Sequence, residues 1–281
     1  MKETVFLNGQ FVPKEKAKVS ALGPGFLYGW GLFETMRSYH NKIVYFEEHL
    51  KRIRESCKLI KMKPPYTLNR LKDIVQETIK INDLRDAHVR LTLWKSERGT
   101  DILIIAKKYQ PYPFRKYNKG FCACISPFRQ NEDSFLAQLK TTNYLFYRLA
   151  FTQAIQKGFD EAIILNNKGY IAEASRSNLF FIKNRELFTP SLESSCLDGI
   201  TRRVIFDIAK KYHIKAYEGA FSILDLYACE EAFLTNSLMG IMPLVSVEGR
   251  RIGRGRSRYK LTRFFIEKYK SLYYAARNPR P

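Results

Sequence analysis

The sequence predicts an α/β fold divided into two domains. Strand-like segments alternate with single helices along most of the 281 residues, and this alternation excludes a helical bundle. The stretch "KKYQPYPFRKYNKG", which ends at residue 120, contains two prolines and a final glycine and lacks periodicity, as is typical of a linker. We therefore expect a small α/β domain at 1–112, a linker at 113–120 and a larger domain at 121–281.

The first domain begins with residues that alternate between apolar and polar, and Asn8 followed by Gly9 is a hairpin signal. Apolar residues at helical spacing then predict two helices, and two more apolar segments predict strands. The predicted elements are strands at 3–7 and 43–46, helices at 47–60 and 68–82, and strands at 88–94 and 101–107.

The larger domain is predicted to begin with the strand "CACISPF", a helix at 144–157 and the strand "EAIILN". The segment "YIAEASRSNLFFI" predicts two strands joined by a turn. The remaining predicted elements are "ELFTP", a helix at 201–211, "IKAYEGA", a helix at 222–226, "EAFLTN" and a last helix at 257–275. No Gly-x-Gly-x-x-Gly follows a strand, which disfavours a Rossmann cofactor fold.

Composition limits the classes of protein that need to be considered. The hydrophobic content of 45% fits a folded chain, no apolar run approaches the ~20 residues that cross a bilayer, and the start lacks an apolar signal core. We therefore expect a cytoplasmic protein without membrane helices. The net charge of +21 suits nucleic acid, an anionic substrate or high solubility. Apart from "GRRIGRGRSRYK" the cations are scattered, which argues against a nucleic-acid groove.

The cysteines and histidines predict neither disulfides nor a metal site. The chain has five cysteines without a Cys-x-x-Cys pair, and its four histidines show no metal-like spacing with them. We expect the thiols to be unpaired and no metal to be bound.

Lys140 is the first candidate for chemistry. It stands in "QLKTTNYLFYRLAFTQAIQKG", just before apolar residues that recur at helical spacing. Because lysines are mostly exposed, one interpretation is a solvated surface position and the other is a position in a cleft. A predicted strand that ends in Thr235, Asn236 and Ser237 offers small hydrogen-bond donors, although the same residues also suit an ordinary turn.

Two other segments contain candidate binding groups. In "CLDGITRRVIFDIAKKY" a turn leads into a helix near Thr201, whose N–H groups and dipole suit a phosphate, as they would in an ordinary capped helix. Glu173 lies between apolar residues, so its carboxylate needs a cationic partner, either a protonated ring nitrogen or Arg176. A lysine, a carboxylate and a helix start of this kind are the three parts that pyridoxal phosphate (PLP) requires.

Six motifs in order give the chain a resemblance to the fold type IV PLP enzymes. These enzymes include branched-chain aminotransferases, D-amino acid aminotransferases and aminodeoxychorismate lyases. The motifs are "GFLYGWGLFETMR", "FEEHLKRI", "LKTTNYL", "GYIAEASRSNLFFI", "LDGITR" and "TNSLMGIMPL". The resemblance implies a small N-terminal α/β domain, a larger C-terminal domain with a barrel-like sheet, and a homodimer.

The resemblance also implies roles for individual residues. Lys140 resembles the lysine that binds the cofactor covalently and transfers protons, Glu173 the acid that pairs with the pyridine nitrogen, and Tyr144 a tyrosine near the phenolic oxygen. The residues that resemble the phosphate site are Arg52, Ile200, Thr201, Ser237 and Leu238.

Three features resemble the lyase branch. The family's branched-chain aminotransferases typically have a tyrosine five positions after the lysine, whereas Tyr144 comes four after Lys140, a spacing that resembles both the lyase and the D-amino acid branches. Both aminotransferase branches usually carry a glutamate where this chain has Gly240, and Thr35 stands at the position of a threonine linked to lyase reactivity. The resemblance thus favours a lyase that converts 4-amino-4-deoxychorismate to 4-aminobenzoate and pyruvate.

Two alternatives stand beside the lyase. One is an aminotransferase of branched-chain or D-amino acids, and the other is a basic nucleic-acid-binding protein on a retired enzyme fold. The family's usual "DRGFLYGDG" appears here as "GPGFLYGWG", and the "KSERG" loop is short, so the segments expected to face the substrate differ from the family pattern. We expect a small anionic substrate, with contacts at Tyr28, Lys95, Arg98 and Asn236.

Overall fold

The computed structural model describes residues 3–253 and 259–275 and forms two compact units. The first unit is the chain up to Gln110 together with Leu139–Asn143. The second unit is Pro111–Gln138 together with the chain from Tyr144 onwards.

The first unit is a six-stranded antiparallel sheet with two long helices. Its elements are β1 (Thr4–Leu7), β2 (Gln10–Pro13), α1 (Pro24–Leu27), β3 (Gly31–Tyr39), β4 (Lys42–Ile43), α2 (Phe46–Leu59), α3 (Leu68–Ile81), β5 (Ala87–Ser96) and β6 (Gly99–Lys108). The strand order is β2-β1-β6-β5-β3-β4. The fully buried Leu50 of α2 and Ile74 of α3 pack with Met36 and Leu91 of the sheet, so the core lies between the helices and one sheet face.

The second unit is a mixed sheet with helices. Its elements are α4 (Phe114–Lys119), β7 (Phe121–Gln130), α5 (Leu145–Gln156), β8 (Glu161–Asn166), β9 (Ile171–Ala174), β10 (Asn178–Lys183), β11 (Glu186–Pro190), α6 (Ile200–Lys211), β12 (Ala216–Gly219), α7 (Ile223–Ala228), β13 (Glu231–Asn236), β14 (Gly240–Val247), β15 (Arg250–Arg251) and α8 (Lys260–Ala275).

The sheet of the second unit has nine strands in the part of the chain that the structure describes. Its main path is β12-β11-β10-β13-β14-β7-β8-β9, and β15 pairs with β14. The pairs β11 with β12, β14 with β7, and β7 with β8 are parallel, and the others are antiparallel. Although β9 ends the path, it also contacts β10 and β11, so the sheet curls towards a barrel.

The structure differs from the sequence-based expectations at several elements. The strands β2, β3 and β14 are additional to those predicted. The predicted strand at 43–46 corresponds to β4, which ends at Ile43, and α2 already begins at Phe46. The predicted linker at 113–120 contains the helix α4. The predicted last helix at 257–275 and the basic run "GRRIGRGRSRYK" lie partly outside the described residues.

The two units also differ from a linear division of the chain at 112 and 121. Leu139–Asn143 lies with the first unit, because its backbone pairs with β3. The segment that carries Lys140 therefore comes from the middle of the chain but packs with the N-terminal sheet.

Candidate functional site

Lys140 is fixed against β3 by hydrogen bonds on both sides. Phe33 N donates to Lys140 O at 2.9 Å, and Thr142 N donates to Gly31 O at 2.9 Å. The side chain is half-buried, and Nζ lies 4.6 Å from the centroid of the Phe33 ring. Lys140 therefore has a defined position beside an aromatic ring, unlike a freely solvated surface lysine.

Glu34 of β3 is the centre of a buried polar cluster. Arg52 of α2 donates from Nε to one carboxylate oxygen and from Nη2 to the other, each at 2.7 Å. His49, one turn earlier on α2, places Nδ1 2.7 Å from the same carboxylate. A two-point contact of this kind fixes the guanidinium plane, so Glu34 sets the direction in which Arg52 points.

Charge and burial set the protonation of this cluster. Burial acts to raise the pKa of Glu34, but the Arg52 charge and the hydrogen bonds outweigh burial and lower the pKa to about 2. Burial lowers the pKa of His49 despite the opposing Glu34 charge, so the imidazole is neutral near pH 7. Because a carboxylate only accepts, Nδ1 of His49 carries the hydrogen.

The opposite face of β3 presents a second set of groups. The Arg90 guanidinium carbon lies 3.7 Å from the centroid of the Phe33 ring, the same ring that Lys140 approaches. Thr35 is half-buried and faces Arg90 in the β3–β5 register. Phe33 is thus a shared apolar surface for two cations, and Thr35 lies next to it.

The substrate residues predicted in the first unit occupy varied positions. Tyr28 follows α1 and is 73% exposed, and Arg98 is exposed in the turn between β5 and β6. Lys95 is half-buried near the end of β5, where its N–H donates to Trp30 O at 2.9 Å. Trp30, which replaces the family's usual aspartate, donates its indole N–H to Ile60 O at 3.2 Å. The altered "GPGFLYGWG" segment is therefore anchored within the first unit.

In the second unit Glu173 is buried on β9. Leu197 N donates to its Oε2 at 3.2 Å, Asn178 Nδ2 lies 3.5 Å from the same oxygen, and the Tyr147 side chain is hydrogen-bonded to the carboxylate. Arg176, the alternative partner suggested by the sequence, lies 3.6 Å from Glu161 and stacks on Phe151 at 3.4 Å. Arg176 therefore forms its ion pair with Glu161 instead of Glu173.

Tyr144 directly precedes α5 and is tied to the segment that follows Glu173. Its hydroxyl donates to Ser175 O at 3.0 Å, and its ring stacks on Tyr147 with a centroid distance of 5.0 Å. Both contacts fix the phenol relative to β9. Tyr144 and Glu173 thus lie in the same unit, and the Tyr147 side chain contacts both.

The N-terminus of α6 has the features of an anion cradle. Its N-cap residue Gly199 provides no side-chain cap, so the first N–H groups of the helix have no side-chain cap acceptor. A Cβ at Gly199 would clash with Asn178 Oδ1, so a larger residue here would require the Asn178 side chain to move. Ile200 and Thr201 are each 3% exposed, and Thr201 Oγ1 lies 3.4 Å from Tyr269 Oη.

The turn between β13 and β14 is organised by Asn236. Its Oδ1 accepts from Leu238 N at 3.0 Å and from Met239 N at 2.9 Å, and its Nδ2 donates to Arg176 O at 3.1 Å. The Asn236 amide, predicted to contact substrate, is therefore used to shape the turn that carries Ser237. On the same strand, the buried Thr235 hydroxyl has no partner among the described residues.

These groups fit PLP in chemical type. An uncapped helix start with a glycine, together with an orphaned buried hydroxyl on the strand packed against that helix, suits a phosphate ester. The buried Glu173 carboxylate suits a protonated ring nitrogen, and the positioned amine of Lys140 suits covalent attachment. Sequence reasoning missed Glu34, His49, Arg90 and Tyr147, although the first two lie inside the quoted motifs.

The described residues offer no sign of a metal, a disulfide or a membrane span. Within residues 3–253 and 259–275, no group of histidine, cysteine, aspartate and glutamate side chains is arranged to hold a metal ion. All five cysteines lie in the described ranges and are unpaired. None of the described helices has the length and apolar character needed to cross a bilayer.

The chain is similar to known proteins over most of its length. The chain matches the family model "Amino-transferase class IV" over residues 31–247. It is 35% identical over 279 residues to a provisionally assigned branched-chain-amino-acid aminotransferase of Methanocaldococcus jannaschii, covering 95% of this chain and 96% of that one. It is 28% identical over 258 residues to the aminodeoxychorismate lyase of Bacillus subtilis, covering 87% and 86%.

Solved structures show the same architecture. A branched-chain amino acid aminotransferase from T.th., crystallised with pyridoxamine 5'-phosphate, matches with a TM-score of 0.91 at 27% identity, covering 99% of this chain and 96% of that one. The predicted two-domain α/β fold of a type IV PLP enzyme is thereby confirmed. The chain belongs to the class IV aminotransferases, a family of PLP-dependent enzymes.

Proposed function

We propose that the protein is a PLP-dependent aminotransferase of branched-chain amino acids. The observation that carries the proposal is the full-length similarity to branched-chain aminotransferases, which exceeds the similarity to the Bacillus subtilis lyase. This reverses the order of the two functions suggested by the motifs alone. Amino acids and 2-oxo acids carry a carboxylate, and the net charge of +21 favours the approach of such anions.

Each proposed site residue would have its own role in the reaction. When bound, PLP supplies an electron sink for negative charge on the substrate's α carbon. Nζ of Lys140 would hold the cofactor covalently and, once released, accept the proton of that α carbon. The Glu173 carboxylate would pair with the proton on the ring nitrogen, and Tyr144 would lie near the phenolic oxygen. The phosphate would be held by Arg52, Ile200, Thr201, Ser237 and Leu238.

The carboxylate and side chain of the substrate need their own contacts. Tyr28, Lys95 and Arg98 stay predictions for this role, and Asn236 would act through the turn that it holds. Thr35 would lie beside the reacting groups through its position next to Phe33 on β3.

Aminodeoxychorismate lyase is the second candidate, and the geometry at Gly240 favours it. Gly240 has a φ of +69°, and a Cβ there would lie 2.8 Å from Cε1 of Tyr269. The glutamate that aminotransferase branches usually carry at this position would therefore require both backbone strain and movement of a ring. The four-residue spacing from Lys140 to Tyr144 supports the same candidate.

The two candidates are distinguished by product analysis of PLP-loaded protein. Leucine or valine with 2-oxoglutarate should yield glutamate faster than authentic 4-amino-4-deoxychorismate yields 4-aminobenzoate and pyruvate. Lys140→Ala should abolish both reactions, whereas Lys183→Ala, at an exposed strand end, should leave them unchanged. Release of 4-aminobenzoate without transamination would establish the lyase instead, and the absence of both products would reject both candidates.

We also propose that the protein is a homodimer, in keeping with the family resemblance. The first unit exposes apolar side chains between β2 and β3, where an interface with a second copy would cover them. These exposed residues are Val19, Leu22, Phe26, Leu27, Tyr28 and Trp30.

A further inference from the structure

Tyr147 links two buried polar groups of the second unit. It lies in the first turn of α5, and its hydroxyl accepts a hydrogen bond from Gln130 Nε2 at 3.1 Å. The same side chain is hydrogen-bonded to the Glu173 carboxylate. Gln130 is the last residue of β7 and is 9% exposed, so the chain of contacts runs from one strand end through α5 to β9.

The direction of these hydrogen bonds follows from the groups involved. The Gln130 amide nitrogen only donates, so it occupies a lone pair of the Tyr147 oxygen. The phenol's one proton is then directed to Glu173, which in its charged form only accepts. Burial raises the pKa of Tyr147, and the neighbouring Glu173 charge raises it further, so the hydroxyl is a donor throughout the neutral range.

The Tyr147 ring cannot easily turn away from this position. It stacks on Tyr144 at 5.0 Å with an interplanar angle of 24°, and it meets Phe146 edge to face at 5.2 Å and 87°. Tyr144 is itself held by Ser175 O at 3.0 Å. Because the ring is fixed on two sides, the hydroxyl has little freedom relative to Glu173.

Three donors to Glu173 share a property that suits a cofactor acid. They are the Tyr147 phenol, the Leu197 N–H and the Asn178 amide, all of which are uncharged. Arg176, the nearby cation, is directed to Glu161. Uncharged donors fix the orientation of a carboxylate without adding a positive charge of their own.

We infer, resting on the proposed PLP-dependent function, that Tyr147 is a positioning residue for Glu173. Its hydroxyl, anchored by Gln130, holds the carboxylate in the orientation that pairs with the ring nitrogen of the cofactor. Gln130 acts through Tyr147, so the two residues form one relay.

The relay is tested with Tyr147→Phe, Gln130→Leu and the double variant. Tyr217→Phe is the matched control, because the Tyr217 hydroxyl also donates to a glutamate, Glu186 Oε1 at 3.4 Å, but at the protein surface. The readouts are the PLP dissociation constant of the apoenzyme, measured by absorbance, and kcat and KM of the holoenzyme. Circular dichroism verifies that each variant is folded.

We expect Tyr147→Phe to raise the PLP dissociation constant and to lower kcat by about tenfold each, with KM unchanged, since a hydrogen bond to a charged group is lost. Gln130→Leu, which keeps the phenol, should shift both values in the same direction by less. The double variant should equal Tyr147→Phe alone, because coupled residues are not additive. Tyr217→Phe should match the wild type.

Each contrary result has a distinct meaning. Wild-type protein that binds PLP and is active, with Tyr147→Phe indistinguishable from Tyr217→Phe, would overturn the relay and leave the proposed function intact. Independent, additive losses in the double variant would overturn the role of Gln130 as the anchor. If Tyr147→Phe does not fold, Gln130→Leu with wild-type PLP affinity and kcat would overturn the relay. Wild-type protein that binds no PLP would overturn the relay together with the proposed function.

Discussion

At the scale of single residues, Glu34 is a buried ionisable group that orients its neighbours in the first unit. It is 1% exposed and accepts two hydrogen bonds from Arg52 and one from His49. A buried carboxylate with three donors is stable only in its charged form. The orientation of Arg52, the proposed phosphate residue of this unit, therefore depends on Glu34 staying ionised.

This dependence predicts a specific loss of stability in acid. The pKa of Glu34 is lowered from 4.5 to about 2, so its contribution is complete above about pH 4.5 and is lost as the pH falls through about 2. The free energy of unfolding of the wild type should therefore lose about 3 kcal/mol between pH 6 and pH 2 relative to Glu34→Gln. Urea unfolding at several pH values measures the difference.

The control for this prediction is Glu55→Gln, since Glu55 is exposed on α2. The gap between this variant and the wild type should change little with pH. If the gap between Glu34→Gln and the wild type were equally constant, Glu34 would not be held in its charged form by the fold.

For single residues, the local sequence pattern supplied candidates and left their roles open. Lys140 and Thr201 suited a solvated lysine and an ordinary helix cap as well as a binding site, and the family resemblance favoured the binding site. Tyr147 could not be predicted, because its proposed role depends on Gln130 and Glu173, which come from other elements. Contacts between elements are set by tertiary packing, which a local pattern does not contain.

At the scale of elements, β3 shows why some strands escape prediction. Its core-facing residues alternate correctly, but two of the four, Glu34 and Ser38, are polar. A strand is recognised by apolar residues at every second position, so buried polar residues remove the signal. Hydrogen bonds from other elements compensate for the burial of these polar side chains, such as the one from Ala87 N to Ser38 Oγ at 2.7 Å. A local sequence pattern does not contain these contacts. A strand with polar residues on its buried face is thus harder to predict than one whose buried face is apolar.

The turn into β14 supports a prediction at Gly240. An alanine there would adopt a φ of +69° and would place Cβ 2.8 Å from the Tyr269 ring of α8. Backbone strain and a steric clash with the ring would therefore both destabilise the variant. Gly240→Ala should lower the free energy of unfolding by about 2–4 kcal/mol, measured by urea denaturation.

Gly249→Ala separates the effect of backbone strain from that of the steric clash. Gly249 has a similar φ of +73°, but nothing lies within 4 Å of a Cβ at that position. This control should lose only about 1 kcal/mol, the cost of the left-handed backbone for alanine. Equal losses in the two variants would mean that α8 yields to the new methyl group and that a larger side chain fits at residue 240.

At the scale of the whole molecule, the division into units does not follow the chain. Leu139–Asn143 joins the first unit although both its neighbouring segments belong to the second. The proline-rich composition near residue 111 predicts a change of unit, and the first unit ends at Gln110. The assignment of Leu139–Asn143 to the first unit could not be predicted. It depends on pairing with β3, and the composition of the segment does not differ from that of its neighbours.

The exposed apolar segment between β2 and β3 leads to a prediction about assembly. Leu22 is 72% exposed and lies among the apolar residues proposed to contact a second copy. A carboxylate at this position would be desolvated in an interface, so Leu22→Asp should shift the protein from twice the monomer mass to the monomer mass in light scattering. Leu224→Asp, at a leucine of α7 that is 68% exposed, should leave the wild-type mass unchanged. A monomeric wild type, or equal dissociation of both variants, would contradict an interface at this segment.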